Sequence, residues 1–396
     1  MMLQAVEGKK VTKVILTKPI SLEVDEEEAN DSGNYNYSAP NLLHRILSLF
    51  SHVRPGSDLS TFQLPVTFNF PKSQLQIYGE QIYSSKEDLL SKCNKGESPL
   101  ERLINVVAWI ISLTRPYLSG AAPYNPILGE THHVSHSSLN VLLEQVSHHP
   151  PVSALHATDE KENMEIIWSI RPIPKFHGTL IEVQVQGKRM LKLMKHGETY
   201  EWNPPNFIYR FLPIPGSEWV GNVRVSCRET GLVADLCYKG RSFLGFKGNR
   251  RSVKGKILGS SSSNNVLYDI DGHWDKTVAI KDKNNGSVKV IYDAKQVISG
   301  LQTPTLKNLE NVWATEAASV WSEVSEALMR KEWDKASEAK RCIENAQRKL
   351  LEERESSGQN WMPKHFTVSR TEQGTWDCFP LHQWVPSGPI IASQDT

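Results

Sequence analysis

One eight-residue segment holds the densest group of chemically useful side chains in the chain. Residues 144–151 read Glu144, Gln145, Val146, Ser147, His148, His149, Pro150 and Pro151. Each proline fixes its own φ and biases the preceding residue toward an extended conformation. Neighbouring side chains on an extended backbone point to opposite faces, so the two histidines can share one ligand only if the backbone turns there.

Four interpretations of this segment compete on the residues alone. A metal site would draw on His132, His133 and His136, but such spacings on a strand-rich segment are weak evidence. A nucleophile–base pair of Ser147 and His148 lacks a G-x-S-x-G elbow, and neighbours in sequence rarely reach triad geometry. An anion site would use both imidazoles as donors to phosphate oxygens. A hydrogen-bonded turn without a ligand is the fourth possibility.

A second set of charged residues lies near the C-terminus. Lys340, Glu344 and Arg348 are four residues apart, so on a helix they stack along one face. Such a ladder is commonly a solvated row of ion pairs that contributes a few tenths of a kcal/mol per pair. Alternatively, Lys340 and Arg348 supply positive charge to an anion, and Glu344 orients a cation or accepts from hydroxyl groups.

The surrounding pattern predicts an α+β fold. From residue 131 to about 297 the chain holds eight or more short strand-like segments, separated by turn formers and without helical crossovers. This pattern predicts an antiparallel sheet large enough to curl or close into a barrel. Residues 97–118 and 308–356 read as helical, the latter with a turn within it.

A short amphipathic helix is predicted near the N-terminus. Residues 41–53 place apolar side chains on one helical stripe, and Pro55 ends the pattern. We expect this helix to face the core or to act as a lid or membrane-surface helix. The lid residues are Leu42, Ile46, Leu49 and Phe50.

Composition excludes several classes of protein. The 396 residues carry 45 Lys plus Arg and 44 Asp plus Glu, and this near-neutral balance argues against nucleic-acid binding. Five dispersed cysteines without a C-x-x-C pair argue against a disulfide framework or zinc ribbon and favour a reducing, cytosolic compartment. The longest apolar run, residues 103–113, is too short to cross a bilayer.

The octapeptide EQVSHHPP resembles the signature of the oxysterol-binding-protein-related family of lipid-transfer proteins, residue for residue. Further segments resemble other blocks of that family in the same order. They are PYNPILGET at 123–131, GHW at 272–274, KRCIENAQRK at 340–349 and WMPKHF at 361–366. The resemblance covers roughly residues 40–390, nearly the whole chain.

The resemblance implies a large incomplete antiparallel β-barrel that encloses a lipid tunnel, with an N-terminal lid helix and C-terminal helices. A sterol or other lipid would occupy the tunnel, and phosphatidylinositol 4-phosphate would replace it with its head group at the mouth. The head-group residues would be His148, His149, Asn125, Lys340, Glu344 and Arg348. Where many members carry a lysine before the proline of the NP block, this chain has Ala122, which weakens the case for phosphoinositide binding. A replacement cation such as Arg115 is one possible compensation.

The resemblance also implies one domain with appendages. We expect a mobile arm at 1–40, a lipid-binding domain at 41–390 and a tail at 391–396. Within the domain, 41–60 is the lid, 61–300 holds helices and barrel, and 301–390 is a C-terminal helical subdomain.

The predicted function is lipid transfer between membranes, with no catalytic residue, metal or cofactor; a lipid-regulated sensor or scaffold is the alternative. We expect a cytosolic protein that associates peripherally with the endoplasmic reticulum or other intracellular membranes and contacts anionic membranes transiently, through the basic segment 246–256 for example. The acidic segment 23–31 is a weak candidate for binding an endoplasmic-reticulum receptor.

Overall fold

A computed structural model describes most of the chain. The described residues are 11–22, 45, 48–60, 62–116, 121–212, 215–240, 251–259, 265–372 and 374–392. All structural statements below concern these residues.

Helices flank a long run of strands. The helices are α1 (Gln74–Tyr83), α2 (Leu89–Lys95), α3 (Pro99–Ser112), α4 (Ala294–Ile298), α5 (Ala317–Val320), α6 (Ser322–Met329) and α7 (Trp333–Ser357). The strands are β1 (Asn69–Ser73), β2 (Ala122–Tyr124), β3 (Thr131–His136), β4 (Leu139–His148), β5 (Pro151–Asp159), β6 (Met164–Phe176), β7 (Leu180–Gln186), β8 (Arg189–Leu193), β9 (Glu198–Trp202), β10 (Asn206–Arg210), β11 (Gly216–Cys227), β12 (Val233–Lys239), β13 (Ser252–Leu258), β14 (Val266–His273), β15 (Thr277–Asp282), β16 (Val288–Asp293), β17 (Thr305–Leu306), β18 (Phe366–Arg370), β19 (Trp376–Pro380) and β20 (Ile390–Ile391).

Sixteen strands form one large sheet that curls into an incomplete barrel. Its order is β16-β15-β14-β13-β12-β11-β10-β7-β6-β5-β4-β3-β20-β17, with β8 and β9 paired beside β6 and β11. Neighbours in this sheet are antiparallel except β20, which runs parallel to β3, so the sheet is mixed rather than purely antiparallel. The expected incomplete barrel is present, and two small sheets, β1–β2 and β18–β19, lie outside it.

Alternating burial sets the orientation of the strands. In β12 the side chains of Ala234, Leu236 and Tyr238 are buried, and the residues between them are partly exposed. Side chains of this period-two pattern line one face of a sheet, so the apolar set points to the core. The main core joins these inner faces to α1, α2 and α3, with Trp109 in edge contact with Trp202.

The helix predicted at 97–118 is shorter than expected. Helix α3 begins after Ser98, whose hydroxyl accepts from the Glu101 amide at 3.1 Å. It ends at Ser112, and Pro116 restricts Arg115 to non-helical conformations. The predicted end at residue 118 is wrong, because Pro116 stops the helix before that position.

The C-terminal segment is more divided than predicted. Residues 308–356 hold α5, α6 and most of α7, and Lys331, at φ 57°, separates α6 from α7. Residues 301–390 also contain short strands in addition to helices, and β20 joins the main sheet.

Residues 11–22, expected within a mobile arm, are docked without strand pairing. The Ile15 amide donates to the Ala318 carbonyl at 2.9 Å, and the Lys72 ammonium donates to the Thr17 carbonyl at 3.1 Å. Leu16 and Leu22 pack against the main core. The segment is fixed by partners distant in sequence, which its own composition does not identify.

The described part of the lid packs on an aromatic cluster. Phe50 is 7% exposed, and its ring lies 5.4 Å from Phe62, 5.0 Å from Phe176 and 6.0 Å from Phe211, measured between centroids. Leu49 is partly buried against the same cluster. Residues 48–50 are helical, whereas Leu42 and Ile46 lie outside the described residues.

Candidate functional site

The two signature histidines lie at the hairpin turn between β4 and β5. His148 is paired with Pro151 across the turn, and the His149–Pro150 peptide is cis. The imidazole centroids of His148 and His149 lie 4.6 Å apart, with the rings nearly perpendicular. The backbone therefore turns at the histidines, which is the condition under which both rings can meet one ligand.

His148 is held in one orientation by the NP block. Its Nδ1–H donates to the Pro126 carbonyl at 3.0 Å, which leaves Nε2 as the other ring nitrogen. Burial lowers the pKa of His148, the neighbouring His149 lowers it further, and the hydrogen bond to Pro126 raises it. The net pKa lies below the usual value, so this half-buried ring is neutral at pH 7.

The first two residues of the signature hold other elements in place. The buried Glu144 carboxylate accepts from the backbone amides of Lys364 and His365 at 2.8 and 2.9 Å. Gln145 accepts from the Ser153 hydroxyl at 2.6 Å and donates to the Ser147 carbonyl at 3.0 Å. These two of the eight residues thus fix the framework of the site.

The buried side chain of Val146 packs with Val152 against Phe366 and Cys378 of the hairpin β18–β19. Pro151 opens β5 directly after the turn. In the described chain no hydrogen bond joins the Ser147 hydroxyl to either imidazole, which disfavours the nucleophile–base interpretation.

The NP block lies directly beside the histidine turn. Asn125 is exposed and precedes Pro126, whose carbonyl orients His148. The Gly129 amide donates to the Gln145 carbonyl at 2.9 Å. A Cβ at Gly129 would lie 2.6 Å from the ring of Trp361, so glycine permits the WMPKHF segment to cover this loop.

Lys340 reaches the same loop through a residue that the sequence did not single out. Its ammonium donates to Asn69 Oδ1 at 3.0 Å and to the Leu64 carbonyl. The Asn69 amide in turn donates to the carbonyls of Ala122 and Pro123, each at 3.1 Å. Burial lowers the pKa of Lys340, and the nearby Glu344 carboxylate partly offsets that effect.

The remaining members of the helical triad are more exposed. The Lys340 ammonium and the Glu344 carboxylate are 3.7 Å apart. Arg348, one turn further along α7, is exposed and donates to the side chain of Asn345. Among the described residues, no hydrogen bond or ion pair joins the histidines directly to this triad; the connection runs through Asn69 and residues 122–126.

Arg115 does not compensate for the missing lysine at position 122. It is 4% exposed, and its guanidinium donates to the Ser84 carbonyl. Burial lowers its pKa to about 10. A charge fixed inside the core cannot contact a head group at the mouth of a tunnel. The suggestion that Arg115 replaces the missing lysine is therefore wrong.

A second buried carboxylate, Glu130, closes the NP block. It accepts from the Ile127 amide at 3.0 Å, from Trp321 Nε1 at 2.8 Å and from the Ser73 hydroxyl. Burial raises its pKa to about 7. Sequence patterns do not indicate this network, because Ser73 and Trp321 lie far from Glu130 along the chain.

Two features are absent from the described residues. No group of three or more His, Cys, Asp or Glu side chains is placed to hold a metal ion there. None of the helices in the described ranges combines the length and apolar character that a bilayer crossing requires.

Sequence comparison assigns the chain to a known family. The family model described as "Oxysterol-binding protein" matches residues 48–385. The chain belongs to the oxysterol-binding protein family. Among Arabidopsis thaliana relatives, oxysterol-binding protein-related protein 4B is 51% identical over 381 residues, covering 96% of this chain and 97% of the relative. Protein 4A is 49% identical over 393 residues, covering 98% and 100%.

Solved structures agree with the family's fold. The ORD domain of Osh1, solved in complex with ergosterol, has a TM-score of 0.70 at 20% identity and covers 96% of this chain and 93% of its own. The ORD of Osh3 from Saccharomyces cerevisiae, solved in complex with PI(4)P, has a TM-score of 0.62 at 23% identity, covering 93% and 94%. The predicted family and fold class, an incomplete barrel built around a tunnel, are therefore confirmed.

Proposed function

We propose that this chain is an intracellular lipid-transfer protein that binds a sterol or related lipid in its tunnel. In this proposal phosphatidylinositol 4-phosphate replaces that lipid, and the exchange moves lipid between membranes. Membership of the family supports lipid binding, and the titles of related structures name cholesterol or ergosterol for Osh1 and PI(4)P for Osh3. Such a cycle makes and breaks no covalent bond, so we propose no catalytic residue and no cofactor.

The observation that carries the proposal is the turn that brings His148 and His149 within 4.6 Å of each other beside the NP block. Two adjacent imidazoles can donate to one phosphate, and His148 does so through Nε2 when its ring is protonated, which makes that hydrogen bond charge-assisted. We assign them to the head-group phosphate and exposed Asn125 to the same head group.

We assign different roles to the three helical residues. Lys340 is held by Asn69 and the Leu64 carbonyl, so it supports the loop at 122–126 and adds positive potential. Exposed Arg348 provides a phosphate donor, and Glu344 accepts from inositol hydroxyls while it balances Lys340.

The lid is proposed to retain the tunnel lipid. The packing of Phe50 supports this role, because leaving its aromatic cluster would expose a large apolar surface. We extend the role to Leu49, Leu42 and Ile46 from their shared sequence stripe. Deletion of residues 41–56 should leave a folded protein that releases a preloaded sterol faster, whereas unchanged retention would contradict the role.

Contact of the basic segment 246–256 with anionic membranes stays a proposal, and its residues 246–250 lie outside the described residues. Arg251 pairs with Asp275 at 3.2 Å, and Lys254 pairs with Asp271 at 3.4 Å. These neighbouring acids reduce the local positive charge. Segment 23–31, proposed for a receptor, lies outside the described residues, and the peripheral location at the endoplasmic reticulum stays a proposal.

A transfer assay between donor and acceptor liposomes tests the function. The double variant His148→Ala, His149→Ala should lose phosphatidylinositol 4-phosphate binding and its exchange, but keep sterol binding. The control His196→Ala removes a histidine that bonds the distant Asn94 carbonyl at 2.8 Å and should exchange normally. Normal phosphoinositide binding by the double variant would refute the site. Stoichiometric binding without transfer by the unaltered chain would favour the sensor or scaffold alternative.

A further inference from the structure

Asn69 is a buried side-chain amide that joins two distant parts of the chain. It opens strand β1 and is 2% exposed. Its Nδ2 donates to the Ala122 and Pro123 carbonyls, each at 3.1 Å, and its Oδ1 accepts from the Lys340 ammonium at 3.0 Å. Both amide hydrogens and the amide oxygen therefore have partners. Since losing a buried hydrogen bond leaves its partner unsatisfied, each of these contacts constrains the residues that it joins.

The strand that Asn69 holds receives little other support from backbone pairing. Strand β2 is three residues long and pairs in parallel with β1, outside the main sheet. The register of this pair shifts between Asn69 and Ser73, so the ladder of backbone hydrogen bonds is irregular. The side chain of Asn69 thus supplies two bonds to the carbonyls of β2 where the short ladder supplies few.

The loop at 122–126 is held at both ends. Asn69 binds the carbonyls of its first two residues, and the His148 Nδ1–H donates to the Pro126 carbonyl at 3.0 Å. Exposed Asn125 lies between these two anchors. The position of Asn125 relative to the imidazole of His148 therefore depends on Asn69.

Lys340 influences this loop through Asn69. Its ammonium donates to Asn69 Oδ1 and to the Leu64 carbonyl, and the Glu344 carboxylate lies 3.7 Å away. These three groups match the three donors of an ammonium. A charged donor polarises the amide that it binds and strengthens the hydrogen bonds that this amide donates in turn. The charge of Lys340 therefore stabilises the two bonds from Asn69 to β2.

We propose that Asn69 is a positioning residue for the phosphoinositide head group, which holds the loop at 122–126 so that Asn125 and the histidine pair meet one phosphate. A binding site loses affinity when the elements that carry its donors are not fixed, although every donor is still present. A sterol carries no phosphate for these donors, so Asn69 sets the preference between the two ligands. The inference rests on the proposed lipid-exchange function, which assigns the head group to these residues.

Equilibrium binding of two probes to the full chain tests this role. The probes are short-chain phosphatidylinositol 4-phosphate and a fluorescent sterol. Asn69→Leu makes none of the three hydrogen bonds and should weaken phosphatidylinositol 4-phosphate binding about tenfold, while sterol binding stays unchanged. The matched control is Asn94→Leu, because Asn94 is 5% exposed and its Nδ2 donates to the Glu162 carbonyl at 2.7 Å. This control should bind both probes as the unaltered chain does.

A double-mutant cycle tests the link from Lys340. If Lys340 acts through Asn69, Lys340→Met should cost less phosphatidylinositol 4-phosphate affinity in the Asn69→Leu background than in the unaltered chain. An equal cost in both backgrounds would mean that Lys340 acts on the head group independently, and it would contradict the link. Asn69→Ser adds no bulk at this buried position and keeps at most one bond to β2. It should therefore weaken phosphatidylinositol 4-phosphate binding even where Asn69→Leu does not fold.

Three results would overturn the positioning role. They are unchanged phosphatidylinositol 4-phosphate binding by both Asn69 variants, an equal loss of sterol binding, and an equal loss in Asn94→Leu. The first result, with normal binding by the unaltered chain, would leave the proposed function intact.

Hydrogen exchange of the backbone amides at 124–129 provides a measurement that needs no lipid. Exchange should be faster in the Asn69 variants than in the unaltered chain or in Asn94→Leu, because the loop has lost one of its two anchors. If the unaltered chain binds no phosphatidylinositol 4-phosphate, the proposed function fails. Faster exchange would then still support the hold of Asn69 on the loop, whereas unchanged exchange would overturn it.

Discussion

Phosphate binding at the histidine turn should take up a proton. In the ligand-free protein, burial and the neighbouring His149 lower the pKa of His148. Its Nδ1–H is committed to the Pro126 carbonyl, so in the neutral ring Nε2 carries a lone pair and no hydrogen. A phosphate oxygen approaching Nε2 is therefore favoured only when the ring is protonated. The bound anion in turn raises the pKa of the ring.

The coupling between protonation of His148 and phosphate binding fixes the sign and size of the pH dependence of the affinity. Between the low pKa of the free protein and the higher pKa of the complex, binding takes up as much as one proton. Affinity for phosphatidylinositol 4-phosphate should then fall as pH rises, by up to about tenfold per pH unit, or about 1.4 kcal/mol. Below the pKa of the free protein the His148 contribution to this slope vanishes.

The assay is equilibrium binding of short-chain phosphatidylinositol 4-phosphate across pH, comparing the unaltered chain with His148→Gln. Glutamine keeps a donor but does not titrate, so its curve contains only the ionisation of the ligand's phosphate and of other groups. The difference between the two curves isolates the ring. The control His196→Gln should follow the unaltered curve. Identical pH slopes for His148→Gln and the unaltered chain would refute the coupling.

Three further predictions concern buried groups. Lys340→Met strands the acceptors Asn69 Oδ1 and the Leu64 carbonyl, so it should lower the free energy of unfolding by about 1–3 kcal/mol. Exposed Arg348→Met should change it by under about 0.5 kcal/mol in the same denaturation assay, and equal effects would contradict the assignment. The raised pKa of Glu130, about 7 against 4.5, favours the neutral carboxyl in the fold. Its contribution of about 3 kcal/mol is present below pH 4.5 and lost as pH rises to 7. Glu130→Gln should flatten that slope, and an unchanged slope in pH-dependent unfolding would be inconsistent with it. Phe50→Ser should speed release of a fluorescent sterol by about tenfold to a hundredfold, and unaltered release would remove the lid role.

Several parts of the fold could be predicted because they depend on local periodicity. The alternation in β12 follows from Ala234, Leu236 and Tyr238, and the start of α3 follows from Ser98 and Pro99. The end of α3 was predicted at residue 118, but the helix ends at Ser112, because the proline at 116 restricts the backbone before it. The residues of the octapeptide alone left four interpretations of its role open, and only its resemblance to the family signature favoured phosphate binding.

The sequence by itself determined where buried and exposed side chains alternate along a strand and where turn-forming residues separate the strands. It also placed two histidines directly before two prolines that stiffen the backbone, because each of these properties depends on residues within a few positions; the turn itself is seen only in the structure. Tertiary structure alone decided that Lys340 reaches residues 122–123 through Asn69, and that Glu144 holds the backbone of His365. It also decided that residues 11–22 dock on distant elements. These partners are separated by tens to hundreds of residues, and they meet only once the sheet has curled and buried polar groups have found the donors that burial demands.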